Sequence, residues 1–97
     1  MEILISRSKK QDKKFDAVID GKKTVSFGAK GYSDMTQHKD EERKKRYINR
    51  HKKNENWNDP TTPGFYAKHI LWNKPTLTAS VADLKKQFPK LKVKLKV

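Results

Sequence analysis

Apolar and polar residues alternate near the N-terminus in a way that predicts short β-strands. Residues 3–5 form an apolar run that indicates a first strand, and residues 6–14 form a polar, basic connection. Residues 15–19 and 24–27 then flank Asp20-Gly21, a turn dipeptide that is typical of β-hairpins. The sequence therefore predicts one strand followed by a hairpin.

The apolar positions also indicate the register of this hairpin. A two-residue turn would place Asp16 opposite Val25, a charged residue against an apolar one. A three-residue loop over residues 20–22 instead pairs Phe15 with Phe27 and keeps the apolar side chains on one face. We predict the three-residue loop. The apolar face then consists of Phe15, Ala17, Ile19, Val25 and Phe27.

A long basic helix is predicted over residues 37–53. Asp34 and Gln37 have the spacing of a capping box at its start. Acidic residues fall in its first turns and basic residues in its last turns, and this polarity complements the helix dipole. Its only apolar residues are Tyr47 and Ile48, so we expect a narrow attachment to the core.

Two further helices are predicted in the second half of the chain. Thr62 precedes Pro63 as an N-cap, and apolar residues at helical spacing follow as far as residue 72. A short helix is predicted to open at Ser80 and to end at Pro89. The predicted core around these helices consists of Val25, Phe27, Phe65, Trp72, Leu84 and Phe88.

Residues 90–97 alternate strictly between lysine and an apolar residue, which predicts a C-terminal strand with one lysine face. The lysines of that face are Lys90, Lys92, Lys94 and Lys96. Together the elements predict a single α+β domain over residues 1–97. Its sheet is expected to be antiparallel and three- to four-stranded, built from the N-terminal hairpin and the C-terminal strand, with two to three helices against it.

The charge balance extends these predictions from fold to function. The chain of 97 residues holds 24 Lys and Arg against 11 Asp and Glu, a formal net charge of +13. Such a surplus destabilises a folded chain by self-repulsion unless a partner neutralises it. Nucleic acid is the commonest polyanionic partner, and anionic membranes and acidic protein surfaces are its rivals.

Several classes of protein are disfavoured by what the sequence lacks. Without cysteine, disulfides and thiolate metal sites are excluded, and no oxidising compartment is needed. No apolar run approaches the ~20 residues that span a bilayer, and the N-terminus has neither the length nor the charge of a signal peptide. His38, His51 and His69 lack metal-ligand spacing, and no phosphate loop or nucleophile motif is present. We therefore expect no enzymatic activity, cofactor or metal, with a small nuclease as the remaining enzymatic alternative.

Three arginines on the basic helix are the strongest candidates for binding. Arg43, Arg46 and Arg50 recur at i, i+3 and i+7 and therefore share one stripe of the helix. Each guanidinium can donate two parallel hydrogen bonds to a phosphate. The flanking lysines are Lys45, Lys52 and Lys53. The alternative is a solvated helix whose charges pair with one another, as Glu42 and Arg46 would at i,i+4.

The C-terminal lysine face and two aromatic residues complete the predicted binding surface. Lysines at a period of two could follow a phosphate backbone without reading its sequence, or they could only keep an edge strand soluble. Tyr32 and Trp57 lie in loops and could stack on bases, or they could close the core of a small domain. Both alternatives stay open from the sequence.

Four short motifs occupy the stretch from residue 28 to residue 88. They are GYSDxTxHKD at residues 31–40, YxxRH at 47–51, WxDPxTxGF at 57–65 and LWxKPT at 71–76. In these motifs the chain resembles a family of small, basic, uncharacterised proteins from giant eukaryotic DNA viruses and large phages. The resemblance implies a viral origin and a place in the virion, or in the cytoplasm or nucleus of an infected cell, without secretion. It carries over no functional residues.

Charge and resemblance together lead to one main hypothesis and one rival. The main hypothesis is a non-enzymatic viral protein that binds nucleic acid through the phosphate backbone, with little sequence specificity. The rival is a minor capsid or cement protein that binds acidic surfaces of other virion proteins. In both cases we expect a macromolecular partner, with no small-molecule substrate and no membrane span.

Overall fold

The strands and helices of a computed structural model, which describes all residues from Met1 to Val97, form an α+β fold. The strands are β1 (Glu2–Arg7), β2 (Lys13–Ile19), β3 (Lys23–Ala29) and β4 (Lys92–Lys96). The helices are α1 (Met35–His38), α2 (Glu41–His51), α3 (Pro63–Tyr66) and α4 (Leu77–Gln87), and α3 continues into a π-helical turn, Ala67–Leu71. The predicted fold class is confirmed.

The N-terminal hairpin has the predicted register. Phe15 lies opposite Phe27 and Ala17 lies opposite Val25, which leaves a three-residue loop between Ile19 and Lys23. Within that loop Asp20 and Gly21 both adopt positive φ angles, of 51° and 68°. These left-handed conformations are favourable for glycine and tolerable for aspartate, so the Asp-Gly pair explains where the chain turns.

The fourth strand joins the sheet in the direction opposite to the one predicted. The strand order is β3-β2-β1-β4, and β4 runs parallel to β1, with Ile3 opposite Val93 and Ile5 opposite Leu95. The sheet is therefore mixed, although most of it is antiparallel. Parallel pairing is possible because the chain between β1 and β4 is long and passes through the helices, whereas a tight local turn joins antiparallel strands. The strand also begins later than predicted, and Lys90 lies in the turn before it.

The core lies between one face of the sheet and a layer formed by α3, its π-helical turn and α4. The sheet contributes the buried side chains of Ile3, Ile5, Phe15, Ala17, Ile19, Val25, Phe27 and Val93. The helices contribute Phe65, Tyr66, Ile70, Leu71, Val81 and Leu84. Trp72 and Phe88, both predicted as core residues, lie at its edge and are only partly buried. The other face of the sheet is open to solvent.

The predicted long basic helix is in fact two helices. Lys39 adopts a left-handed conformation with φ of 57°, which ends α1 and separates it from α2. Asp40 then starts α2 as its N-cap, accepting hydrogen bonds from the amides of Glu42 and Arg43. Asp34 caps α1 through the amide of Thr36. Two capped starts six residues apart explain why one continuous helix does not form.

The start of α3 is confirmed, and the predicted start of the last helix is wrong by one turn. Thr62 is the N-cap of α3 and Pro63 is its first residue. The helix α4 begins after Thr76, whose hydroxyl accepts a hydrogen bond from the Ala79 amide. Ser80 is a buried residue inside this helix, and its hydroxyl accepts from the Lys74 amide. None of the four helices is both long and apolar enough to cross a membrane.

His69 is buried in the helical layer in a neutral form. Its side chain is 2% exposed, and Nε2 lies 2.8 Å from the carbonyl oxygen of Trp57, to which it donates a hydrogen bond. The other nitrogen, Nδ1, is buried without a partner. Burial lowers the pKa of His69 below its usual 6.5. A proton on Nδ1 would add a charge and a donor with no acceptor.

We expect this histidine to make the fold less stable in mild acid. Below pH ~6.5 the unfolded chain binds a proton at this residue and the folded chain does not, so the free energy of unfolding falls as pH falls. For one proton the free energy of unfolding falls by at most about 1.4 kcal/mol per pH unit, and this fall stops below the pKa of His69 in the folded chain. Urea unfolding between pH 5 and 8 measures it. His69→Gln should lack this slope and His51→Gln should retain it; equal slopes in His69→Gln and wild type would contradict the assignment.

Candidate polyanion-binding groove

Three arginines of α2 line a shallow groove on the surface of the helical layer. Arg43, Arg46 and Arg50 share this groove with Asn49 and with Trp72, which follows the π-helical turn. Their positions in the sequence place them on neighbouring turns of one helix face, as predicted. The three side chains are exposed to solvent. We call this surface the arginine groove.

A stack of aromatic rings holds α2 against the rest of the domain. Tyr47 lies parallel to Trp72, with ring centres 4.5 Å apart and planes inclined by 4°. His51 continues the stack on Tyr47 at 4.4 Å, and His38 lies 5.3 Å from Trp72. The predicted narrow attachment of the helix is therefore the contact of Tyr47 with Trp72, since His51 belongs to α2 itself. Offset or tilted ring pairs of this kind stabilise by about 0.5–1.5 kcal/mol each beyond the area that they bury.

A second contact fixes the same face of the helix, close to the Tyr47 ring. The Lys44 ammonium donates a hydrogen bond of 2.7 Å to the carbonyl oxygen of Asn73. Tyr47 is the one buried residue of α2, and burial raises the pKa of its hydroxyl well above the usual range, so the ring stays neutral. The backbone that carries the arginines is therefore anchored at two points, while the arginine side chains remain exposed to solvent.

The arginines have few carboxylate partners within the chain. Arg43 lies 3.9 Å from Asp40, and both side chains are about half exposed. Arg46 and Arg50 form no salt bridge. The pairing of Glu42 with Arg46, which would have explained the helix as a self-neutralised surface, does not form. Glu42 instead lies 4.0 Å from Lys45, and both of these side chains are highly exposed, a geometry that contributes little stability.

The flanking lysines lie near the helix but do not line the groove. Lys45 faces Glu42, as described above. Lys52 is the C-cap of α2, where its amide donates to the carbonyl oxygen of Ile48, and Lys53 follows in the turn. All three are exposed. They add positive charge around the arginine groove rather than contacts inside it.

The structure does not bring the C-terminal lysines to this groove. Lys92, Lys94 and Lys96 are exposed side chains of β4, the edge strand farthest from β3. Val93 lies between them in sequence and is buried against the helices, so the three lysines point to the open face of the sheet. We call these three residues the lysine ladder. The predicted basic surface is therefore two surfaces on different sides of the fold.

The two aromatic residues proposed for base stacking have different surroundings. Tyr32 is 74% exposed and lines a cleft next to the groove, together with Arg43 and Arg50. Trp57 is partly buried, and its indole NH donates to Glu55 at 2.9 Å. The Lys68 ammonium lies 5.5 Å from the Trp57 ring centre and occupies one face of it. Of the two, Tyr32 has the free ring.

Sequence reasoning missed two groove residues and one buried ion pair. Asn49 could have been identified from the sequence, because it lies three residues after Arg46 and therefore on the same side of the helix. Trp72 was predicted as core, since helical periodicity alone does not tell a buried ring from one at the edge.

The buried ion pair joins Lys14 of β2 to Asp34 at 2.5 Å, with side chains only 12% and 3% exposed. It fixes the chain at the start of α1.

Several motif residues have structural roles in this fold. The N-caps of all four helices fall within the motifs: Asp34 and Asp40 in GYSDxTxHKD, Thr62 in WxDPxTxGF and Thr76 in LWxKPT. Only two motifs reach the arginine groove, through Arg50 and Trp72. No three His, Asp or Glu side chains are grouped closely enough to hold a metal ion.

A family model matches residues 3–51, just over half of the chain, and this stretch runs from β1 to the end of α2. The chain belongs to DUF5754, a family of unknown function. The DUF5754 match includes the three groove arginines and the buried pair of Lys14 and Asp34, and it ends before Trp72 and the lysine ladder. It also includes the N-terminal hairpin, which lies outside the four motifs. No curated protein and no solved structure matches the chain.

Proposed function

We propose that this protein binds nucleic acid without enzymatic activity, and that the arginine groove holds the phosphate backbone. The observation that carries the proposal is the set of three adjacent arginines on an anchored helix, two of which have no carboxylate partner. A guanidinium that is already exposed and unpaired loses no ion pair when it binds a phosphate. It can also offer two parallel hydrogen bonds, which lysine cannot.

The net charge supports a partner that is itself highly charged. With a formal net charge of +13, the chain gains most from a ligand that carries many closely spaced negative charges. Binding to duplex DNA releases condensed counterions, and this release would supply most of the affinity. Contacts of this kind carry little sequence information, so we expect similar affinities for duplexes of different sequence.

The viral resemblance favours a viral genome as the polyanion. A basic protein with DNA-binding arginines would act on that genome in the virion or in the infected cell. The capsid-cement hypothesis shares the same resemblance and the same charge, but its partner is an acidic protein surface. The two hypotheses differ in how binding depends on salt, since counterion release from duplex DNA makes the dependence linear and steep.

A titration of the protein with a short duplex at several salt concentrations tests the proposal. Three phosphate contacts predict that log K falls with log salt with a slope of about −3, because each neutralised phosphate contributes about −0.9. Additional contacts would make the slope steeper. Binding that disappears by physiological salt would contradict the proposal and turn attention to acidic virion proteins.

A further inference from the structure

The lysine ladder has the properties of a second anion-binding surface. Lys92, Lys94 and Lys96 are exposed, and none of them forms a salt bridge, although Glu2 lies opposite Lys92 in the neighbouring strand. Next to Lys94, β1 presents the exposed side chain of Leu4. The ladder is therefore an unneutralised row of charge at the edge of an open sheet face.

The spacing of the ladder suits a phosphate backbone. Alternate residues of a strand are about 6.6 Å apart, so the three ammonium groups lie along roughly 13 Å. Phosphates of one DNA strand advance by about 3.4 Å each along the duplex axis and also wind around it, so consecutive phosphates are farther apart than this rise. Their separation is comparable with the repeat of the ladder, so neighbouring lysines can meet phosphates of the same strand.

The ladder and the arginine groove lie on opposite sides of the sheet. The ladder points away from the helical layer, because Val93 between its lysines is 1% exposed and faces that layer. The groove is built on the helical layer, where α2 stacks on Trp72. The longest dimension of the protein is 35 Å, whereas duplex DNA has a persistence length of about 150 base pairs and is therefore nearly straight over a segment of this size. One short duplex segment therefore cannot bend around the sheet to reach both surfaces.

We infer that a single molecule of this protein holds two duplex segments at once, one in the arginine groove and one on the lysine ladder. This inference rests on the proposed function and extends it from binding to bridging. A protein that bridges duplex segments draws DNA together, and it does so without forming a dimer. Both surfaces would contact phosphates and not bases, so neither segment needs a particular sequence.

Capture of a second duplex tests the inference. One biotinylated duplex is fixed on beads, the protein is added, unbound protein is washed away, and a fluorescent duplex is supplied near 0.15 M salt. Wild type should retain the second duplex. Replacing Lys92, Lys94 and Lys96 by glutamine removes three contacts, each worth about fivefold at this salt, so capture should fall at least tenfold while the first duplex stays bound. The matched control replaces the exposed lysines Lys9, Lys10 and Lys22 by glutamine and should capture like wild type.

The possible failures are distinguishable. If the protein binds the fixed duplex but never captures a second one, bridging is wrong and the proposed function stands. If the lysine-ladder variant captures as well as wild type, bridging proceeds by another route, such as a dimer of grooves, and the inference is wrong. If that variant loses the first duplex as well, the two surfaces act as one and the inference is again wrong. If wild type binds no fixed duplex, the proposed function itself fails.

Discussion

In the lysine-ladder variant, which leaves the groove as the one proposed duplex surface, replacing Arg43, Arg46 and Arg50 by glutamine should weaken duplex binding on the order of 100-fold near 0.15 M salt. Each lost phosphate contact removes about 0.9 from the salt slope, which at this concentration corresponds to about a fivefold loss of affinity, and three contacts multiply. The slope of log K against log salt should become shallower by roughly 2.7. Fluorescence anisotropy at four or five salt concentrations gives both quantities.

The control for this prediction removes the same charge elsewhere. Lys9, Lys10 and Lys22 are exposed and lie outside the arginine groove. Their replacement by glutamine removes three positive charges, as the arginine replacement does. That variant should lose only the small, long-range part of the attraction. If both triple variants lose the same affinity and slope, the binding belongs to the overall charge and not to the groove. Circular dichroism should show the wild-type fold for both.

Asp34→Ala should destabilise the protein by about 3 kcal/mol, the largest effect that we expect from one substitution at a polar residue. Asp34 is almost fully buried and contacts the Lys14 ammonium, so its loss leaves a buried charge unpaired. It also accepts hydrogen bonds from the amide and hydroxyl of Thr36, which cap α1. For a domain of this size a loss of about 3 kcal/mol lowers Tm by roughly 12–24 °C.

Asparagine at the same position separates the two roles of Asp34. Asp34→Asn keeps an oxygen that can cap α1 but removes the charge opposite Lys14, so most of the loss should remain. Asp12→Ala removes an exposed carboxylate from the connection before β2 and should change stability by less than about 0.5 kcal/mol. Thermal and urea unfolding measure all three variants. A wild-type Tm for Asp34→Asn would show that the ion pair contributes nothing.

Local sequence patterns predicted the parts of the fold that are fixed by neighbouring residues. The hairpin register followed from the alternation of Phe15, Ala17 and Ile19, because the turn that fixes the pairing lies within a few residues. The direction of β4 could not be predicted from a local pattern, because its partner β1 lies at the other end of the chain. The break at Lys39 was missed because its left-handed conformation lies at a lysine and not at the glycine that usually ends a helix.

The same distinction applies to the candidate site. The arginine stripe was predictable because its members belong to one helix and periodicity places them on one face. The position of Trp72 beside the arginine stripe was not predictable, since the contact of Trp72 with Tyr47 depends on how α2 packs against a distant segment. The separation of the lysine ladder from the groove likewise depends on strand order, which places β4 at the far edge of the sheet.

The contact between phosphate and the groove can be observed directly by nuclear magnetic resonance. Isotope-labelled protein is titrated with a short duplex near 0.15 M salt while the arginine side-chain NH signals and the backbone amides are followed. Binding in the groove predicts saturable shifts of the Arg43, Arg46 and Arg50 side-chain signals and of the Trp72 indole NH. If those four signals stay in place while signals of other basic residues move, the arginine groove is not where this protein holds nucleic acid.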